Sequence, residues 1–80
     1  MTSKAKDLLG KLVQPKLNSA SRALAAFLKG EFGIITAVEF EPELSTLYID
    51  ILVGGHIIER EYSSVSQFWQ FWDDRTPRKP

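Results

Sequence analysis

With 80 residues, the chain has room for one domain and not two, and a chain of this size buries only about 60–65% of the surface it exposes when unfolded. Its 44% hydrophobic and 25% charged residues match a folded globular chain rather than a disordered one, no apolar run approaches the roughly 20 residues of a membrane span, and the lack of cysteine excludes disulfides and thiolate metal sites. The formal charge of +0 is segregated: residues 1–30 carry six basic residues against Asp7 alone, residues 31–74 carry nine acids against Arg60 alone, and Arg75, Arg78 and Lys79 restore the balance.

The opening residues do not resemble a secretory signal, because the apolar stretch that follows them is broken by Gly10 and Lys11. A cytoplasmic protein is therefore expected. Ala5, Leu8, Leu9, Leu12 and Val13 fall at helical spacing, with Ser3 placed to cap and Pro15 beyond the end. Gly10 interrupts that stripe, so a helical turn or two up to Leu9 followed by an extended stretch over 11–16 is the favoured reading. A helix follows over residues 19–29, capped by Asn18 or Ser19, with Ala20, Leu24, Phe27 and Leu28 as its apolar stripe and Gly30 as its stop.

Residues 31–41 alternate, setting Ile34, Thr36, Val38 and Phe40 on one face and Ile35, Ala37, Glu39 and Glu41 on the other, as in a half-buried strand. Residues 46–53 alternate again, with Leu47, Ile49, Ile51 and Val53 inward and Tyr48, Asp50 and Leu52 outward. Gly54-Gly55 then predicts a two-residue hairpin, because both central positions of a type I′ turn need positive φ. That loop sets Val53 opposite His56, Ile51 opposite Ile58, Ile49 opposite Arg60 and Leu47 opposite Tyr62. A three-residue loop would bring Asp50 to Arg60 but turn Glu59 and Glu61 onto the buried face, which costs more than one exposed like-charge pair. Ser64-Val65-Ser66-Gln67 has capping-box spacing, and Val65, Phe68, Trp69 and Trp72 follow at helical intervals toward an end near Asp74. One domain over residues 1–75 and a flexible basic tail over 76–80 are expected.

Glu39, Glu41, Asp50, Glu59 and Glu61 gather around Tyr48 on the outward strand face, where they would attract a basic partner. Of the aromatic cluster Phe68, Trp69, Phe71 and Trp72, a short helix can hide one stripe; Trp69 and Phe71 are the candidate partner anchors. Lys4, Lys6, Lys11 and Lys16 form an alternative, phosphate-tracking set for nucleic acid, without the interleaved aromatics or arginines that would strengthen it. Nothing specifies an enzyme: His56 is the lone histidine, no Gly-x-Ser-x-Gly elbow or phosphate-cradling glycine loop occurs, and strand-borne acids without a nearby histidine make no metal or catalytic set. No cofactor and no metal are expected.

Three fragments, Gly10-Lys11-Leu12-Val13-Gln14-Pro15-Lys16, Gly33-Ile34-Ile35-Thr36-Ala37-Val38 and Tyr48-Ile49-Asp50-Ile51-Leu52-Val53-Gly54-Gly55, resemble small Src-homology-3-like barrel proteins, many of them encoded by bacteriophages. The resemblance implies a curled or closed sheet and a binding role, with a virion or host cytoplasm as the location if the source is viral. Relative to such chains, this one places a helix over 19–29 where a loop is usual and ends in an aromatic helix rather than a short strand. The expected fold is thus α+β and β-rich: a small twisted antiparallel sheet with one inserted helix and a C-terminal aromatic helix. The expected function is a non-catalytic protein-binding or assembly module.

Overall fold

Gly54 and Gly55, at φ +57 and +84, close the hairpin from which the sheet can be read outward. In the computed structural model, residues 3–77 are described, with Ser3 and Lys4 as backbone only. β1 (Leu12–Pro15), β2 (Gly33–Glu41), β3 (Thr46–Val53), β4 (His56–Tyr62) and β5 (Trp72–Asp74) form one antiparallel sheet in the order β4-β3-β2-β1-β5. Helices α1 (Ser3–Lys6), α2 (Arg22–Leu28) and α3 (Val65–Phe71) complete the small α+β domain. β4 and β5 are its two edges and do not pair with each other, so the sheet is not closed into a barrel.

The β3–β4 register follows the two-residue loop residue for residue: Val53 faces His56, Ile51 faces Ile58, Ile49 faces Arg60 and Leu47 faces Tyr62. β2 departs from simple alternation. Ile35 pairs with Ile51 but Ala37 pairs with Asp50, so Thr36 is an extra residue in a bulge. The bulge exchanges faces: Ile35 is buried and Ile34 points outward beside Leu52, while Val38 turns inward to Ile49. The predicted sharing of one face by Ile34, Thr36, Val38 and Phe40 is therefore corrected. A one-residue insertion inverts every side chain on one side of it.

Gly33 sits on the inner face, where a Cβ would lie 2.5 Å from Ile51 Cγ2 and 2.7 Å from Val53 Cγ2. Packing requires glycine here. The inner face otherwise carries Val13, Ile35, Leu47, Ile49, Ile51 and Val53, covered by Leu8, Leu28, Phe68 and Trp72. Leu8 reaches this core from the turn after α1, and the Gly10 and Ile35 amides tie that turn to β2 through the Ile35 and Lys11 carbonyls.

A single 3-10 turn (Ser19–Ser21) precedes α2, where the Asn18 carboxamide accepts from the Ser21 amide. Buried Ser21 donates its hydroxyl to the Lys16 carbonyl, and Lys29 and Gly30 end the helix in left-handed geometry. Leu28 is buried and Leu24 packs against the core, but Ala20 and Phe27 are exposed; the apolar stripe is narrower than its spacing suggests. Consecutive residues diverge by about 100° around a helix, and α2 is turned so that Leu28 meets the sheet while Phe27 faces away from it.

α3 starts at the capping-box sequence: Ser64 Oγ accepts from the Gln67 amide, and Gln67 Oε1 reaches one residue past the cap to accept from the Ser63 amide. It ends at Phe71 instead of near Asp74. Trp72 is extended and opens β5, which pairs Trp72 with Pro15 and Asp74 with Val13. Among the described residues the last element is thus a short strand, so the aromatic helix is present as α3 but is not terminal as expected. Two demands outweigh continuation of the helical stripe: β1 needs an outer partner for its edge, and the Trp72 indole needs an acceptor, which it finds in Tyr62 Oη at 2.7 Å.

Lys11 pairs with Asp74 at 3.2 Å, and Thr76 hydrogen-bonds both Asp74 and the Leu12 amide. Burial acts to raise the Asp74 pKa, but the Thr76 and Lys11 contacts together outweigh it and hold the carboxyl below its ordinary 3.8. Thr76, the first residue of the expected tail, is held by these bonds; residues 78–80 lie outside the described residues.

Candidate interaction surface

The outward face of β2, β3 and β4 is organised in cross-strand rows set by the register. Tyr48 lies between Glu39 and Glu61, Asp50 between Ala37 and Glu59, and Thr46 beside Glu41. The predicted carboxylates therefore do surround Tyr48 on one face. Glu39, Glu59 and Glu61 are exposed, while Glu41, Tyr48 and Asp50 are half-buried. Among the described residues the ion pairs are Lys11–Asp74 and Arg75–Asp73, where the start of β1 meets the end of β5, away from these rows. Directly opposed like charges such as Asp50 and Glu59 are unfavourable in the free sheet and are relieved by a cationic partner.

Beyond Asp50 the same face becomes apolar. The bulge at Thr36 brings Ile34 beside Leu52, and Leu52 faces Ile57; these three are 44%, 37% and 57% exposed. Half-buried Leu12 extends the row onto β1. Leu52 beside Ile57 was readable from the hairpin. Ile34 was not, because nothing in the alternation of residues 31–41 marks the bulge.

The aromatic candidates are placed differently. Phe68 and Trp72 are fully buried and stacked, with centroids 5.9 Å apart, whereas Trp69 and Phe71 are half-buried against the core. Trp69 meets Phe68 edge-on at 4.9 Å, and Phe71 lies 5.7 Å from Tyr62. Burial raises the Tyr62 pKa from its ordinary 10.0, only partly offset by the Trp72 hydrogen bond and the Arg60 charge.

Sequence reasoning missed two open clefts that flank exposed Phe27 between α2 and the inner side of β4. One, of about 430 Å³, is lined by Leu24, Arg60, Tyr62 and Phe71 among others; the second, of about 360 Å³, involves Lys29, Val53, His56 and Ile58. Only the tertiary placement of α2 creates them. The lysines of the nucleic-acid alternative stand on different elements: Lys6 is exposed at the end of α1, Lys11 is engaged by Asp74, Lys16 is half-buried after β1, and the Lys4 side chain lies outside the described residues. Among the described residues, no group of three or more His, Cys, Asp or Glu is placed to hold a metal ion, and no helix is long and apolar enough to cross a membrane. Comparison with known proteins finds no family model, no curated protein and no solved structure that matches the chain.

Proposed function

We propose that the chain is a small non-catalytic protein-binding or assembly module that offers the acidic outer face of its sheet to a basic partner. The observation that carries this reading is the pair of rows Glu39–Tyr48–Glu61 and Ala37–Asp50–Glu59, held across the adjacent strands β2, β3 and β4 with the ion pairs of the described residues located elsewhere. An aromatic residue flanked by carboxylates suits an extended cationic side chain, whose stem lies on the ring while its head meets the acids. The three fragments that resemble Src-homology-3-like proteins fall on β1, β2 and β3, adjacent in the sheet, and support a binding role.

The test is a nuclease-treated pull-down from the native host with two baits side by side: the wild-type chain and a Glu39→Lys, Asp50→Lys, Glu59→Lys triple variant of verified fold. A basic protein retained by the first and lost by the second is the expected result. Equal recovery by both baits contradicts the docking face.

A further inference from the structure

β4 is an edge strand, and nothing in the described residues pairs with its outer side. In a hairpin closed by Gly54-Gly55, the residues that exchange both hydrogen bonds with β3 are His56, Ile58, Arg60 and Tyr62. The amides and carbonyls of Ile57, Glu59 and Glu61 therefore point away from the sheet. Their side chains lie on the outer face, beside Leu52, Asp50 and Tyr48. On the inner side, the two clefts that flank Phe27 run end to end along the same strand, from Tyr62 and Arg60 to Ile58 and His56.

We propose that β4 accepts an extended segment of a partner protein as a sixth strand, and that this segment alternates basic and apolar residues. Strand addition satisfies the free groups of Ile57, Glu59 and Glu61, and side-chain alternation supplies specificity. Partner residues opposite Glu59 and Glu61 turn to the outer face, where those carboxylates, Asp50 and Tyr48 select lysine or arginine. The intervening residues turn inward, over Ile58 and Arg60, into the clefts beside Phe27 and Phe71. Each cleft sets one basic residue against one acidic residue, Arg60 with Glu61 and Lys29 with Glu31, around an apolar floor that includes Phe27, so the inward side chains are apolar. A second copy of the chain is a poor occupant. Pairing β4 with itself about Glu59 sets carboxylate against carboxylate, and the other edge, β5, ends in Asp73 and Asp74.

This inference rests on the reading of the chain as a module for basic partners, and three blocked hexapeptides separate the two. The first alternates lysine and valine, the second is lysine alone, and the third is the alternating peptide N-methylated on the residues that would donate to β4. Binding is followed by amide hydrogen exchange and chemical-shift titration of the full chain. The alternating peptide is expected to slow exchange at Ile57, Glu59 and Glu61, and to bind about tenfold or more tighter than the other two, the scale of one or two lost hydrogen bonds for the N-methylated peptide and of lost apolar burial for the all-lysine peptide.

Ile57→Pro removes an outward donor while keeping the β3 ladder and every charge, and is expected to weaken the alternating peptide about tenfold. If that variant fails to fold, the N-methylated peptide puts the same question to the wild-type chain. Equal binding of all three peptides overturns strand addition while leaving the acidic docking face standing. No binding by any of them overturns strand addition as well, and self-association of the chain through β4 overturns the basic and apolar segment as its occupant.

Discussion

The indole of Trp72 donates a 2.7 Å hydrogen bond to the buried hydroxyl of Tyr62, joining the first residue of β5 to the last residue of β4. The two edge strands of an open sheet are thereby held to one core by a side-chain bond, with the Phe68 ring 5.2 Å from Tyr62 and 5.9 Å from Trp72. Tyr62→Phe leaves the buried indole N–H without a partner and is expected to cost about 1–3 kcal/mol, measured by chemical denaturation.

The same tyrosine gives a pH signature. Its folded-state pKa is raised above 10.0, chiefly by burial, so the contribution of its neutral form is fully present below pH 10.0 and is lost as pH rises through the raised folded value. Wild type should lose stability above pH 10.0 more steeply than Tyr62→Phe. Denaturation midpoints of the two proteins on either side of that pH check the sign; parallel profiles would show that Tyr62 ionises as freely folded as unfolded.

Glycine is required at two places for different reasons. Replacing Gly54 and Gly55 together by Val forces two branched residues to φ +57 and +84, at an expected cost of roughly 2–4 kcal/mol. Gly33→Ala leaves the backbone unstrained but drives a methyl into Ile51 and Val53, and should cost about 1–3 kcal/mol. Thermal melts of both variants measure this. An unchanged midpoint for Gly33→Ala would mean that β2 moves away from β3 at that end.

Among the aromatics, Phe68→Ala and Trp72→Ala empty fully buried sites and should each cost about 3–5 kcal/mol, enough to unfold most of so small a domain. Phe71→Ala removes a half-buried ring from Tyr62 and the cleft beside Leu24, and should cost about 1–2 kcal/mol. Matched denaturation curves rank the three.

Much of this arrangement was legible because local chemistry and burial agreed. The Gly54-Gly55 dipeptide fixed a loop length, the loop length fixed the β3–β4 register, and the register placed Glu39, Asp50, Glu59 and Glu61 around Tyr48 once β2 joined the sheet. Ser64 and Gln67 marked the start of α3 for the same reason, a bond between near neighbours.

Three features depended on distant partners and left no local mark. Thr36 looks like one more alternating residue, yet it is extra, and Ile34 and Ile35 exchange faces because β3 buries Ile51 opposite Ile35. Trp72-Asp73-Asp74 is too short to show a strand period and continues the spacing of Phe68 and Trp69; only the free edge of β1 and the hydroxyl of Tyr62 make it β5. Phe27 continues the spacing of Leu24 and Leu28 but lies over a cleft, since α2 meets the sheet through Leu28.

The central claim, that the acidic outer face docks a basic partner, is tested most directly by mapping amide chemical shifts of the full chain as a blocked lysine-rich peptide is added at low ionic strength. The account predicts that the largest changes fall on Glu39, Tyr48, Asp50, Glu59 and Glu61, shrink as salt is raised, and vanish in the Glu39→Lys, Asp50→Lys, Glu59→Lys variant. Changes that fall instead on α1 and α3, or that survive charge reversal, would contradict it.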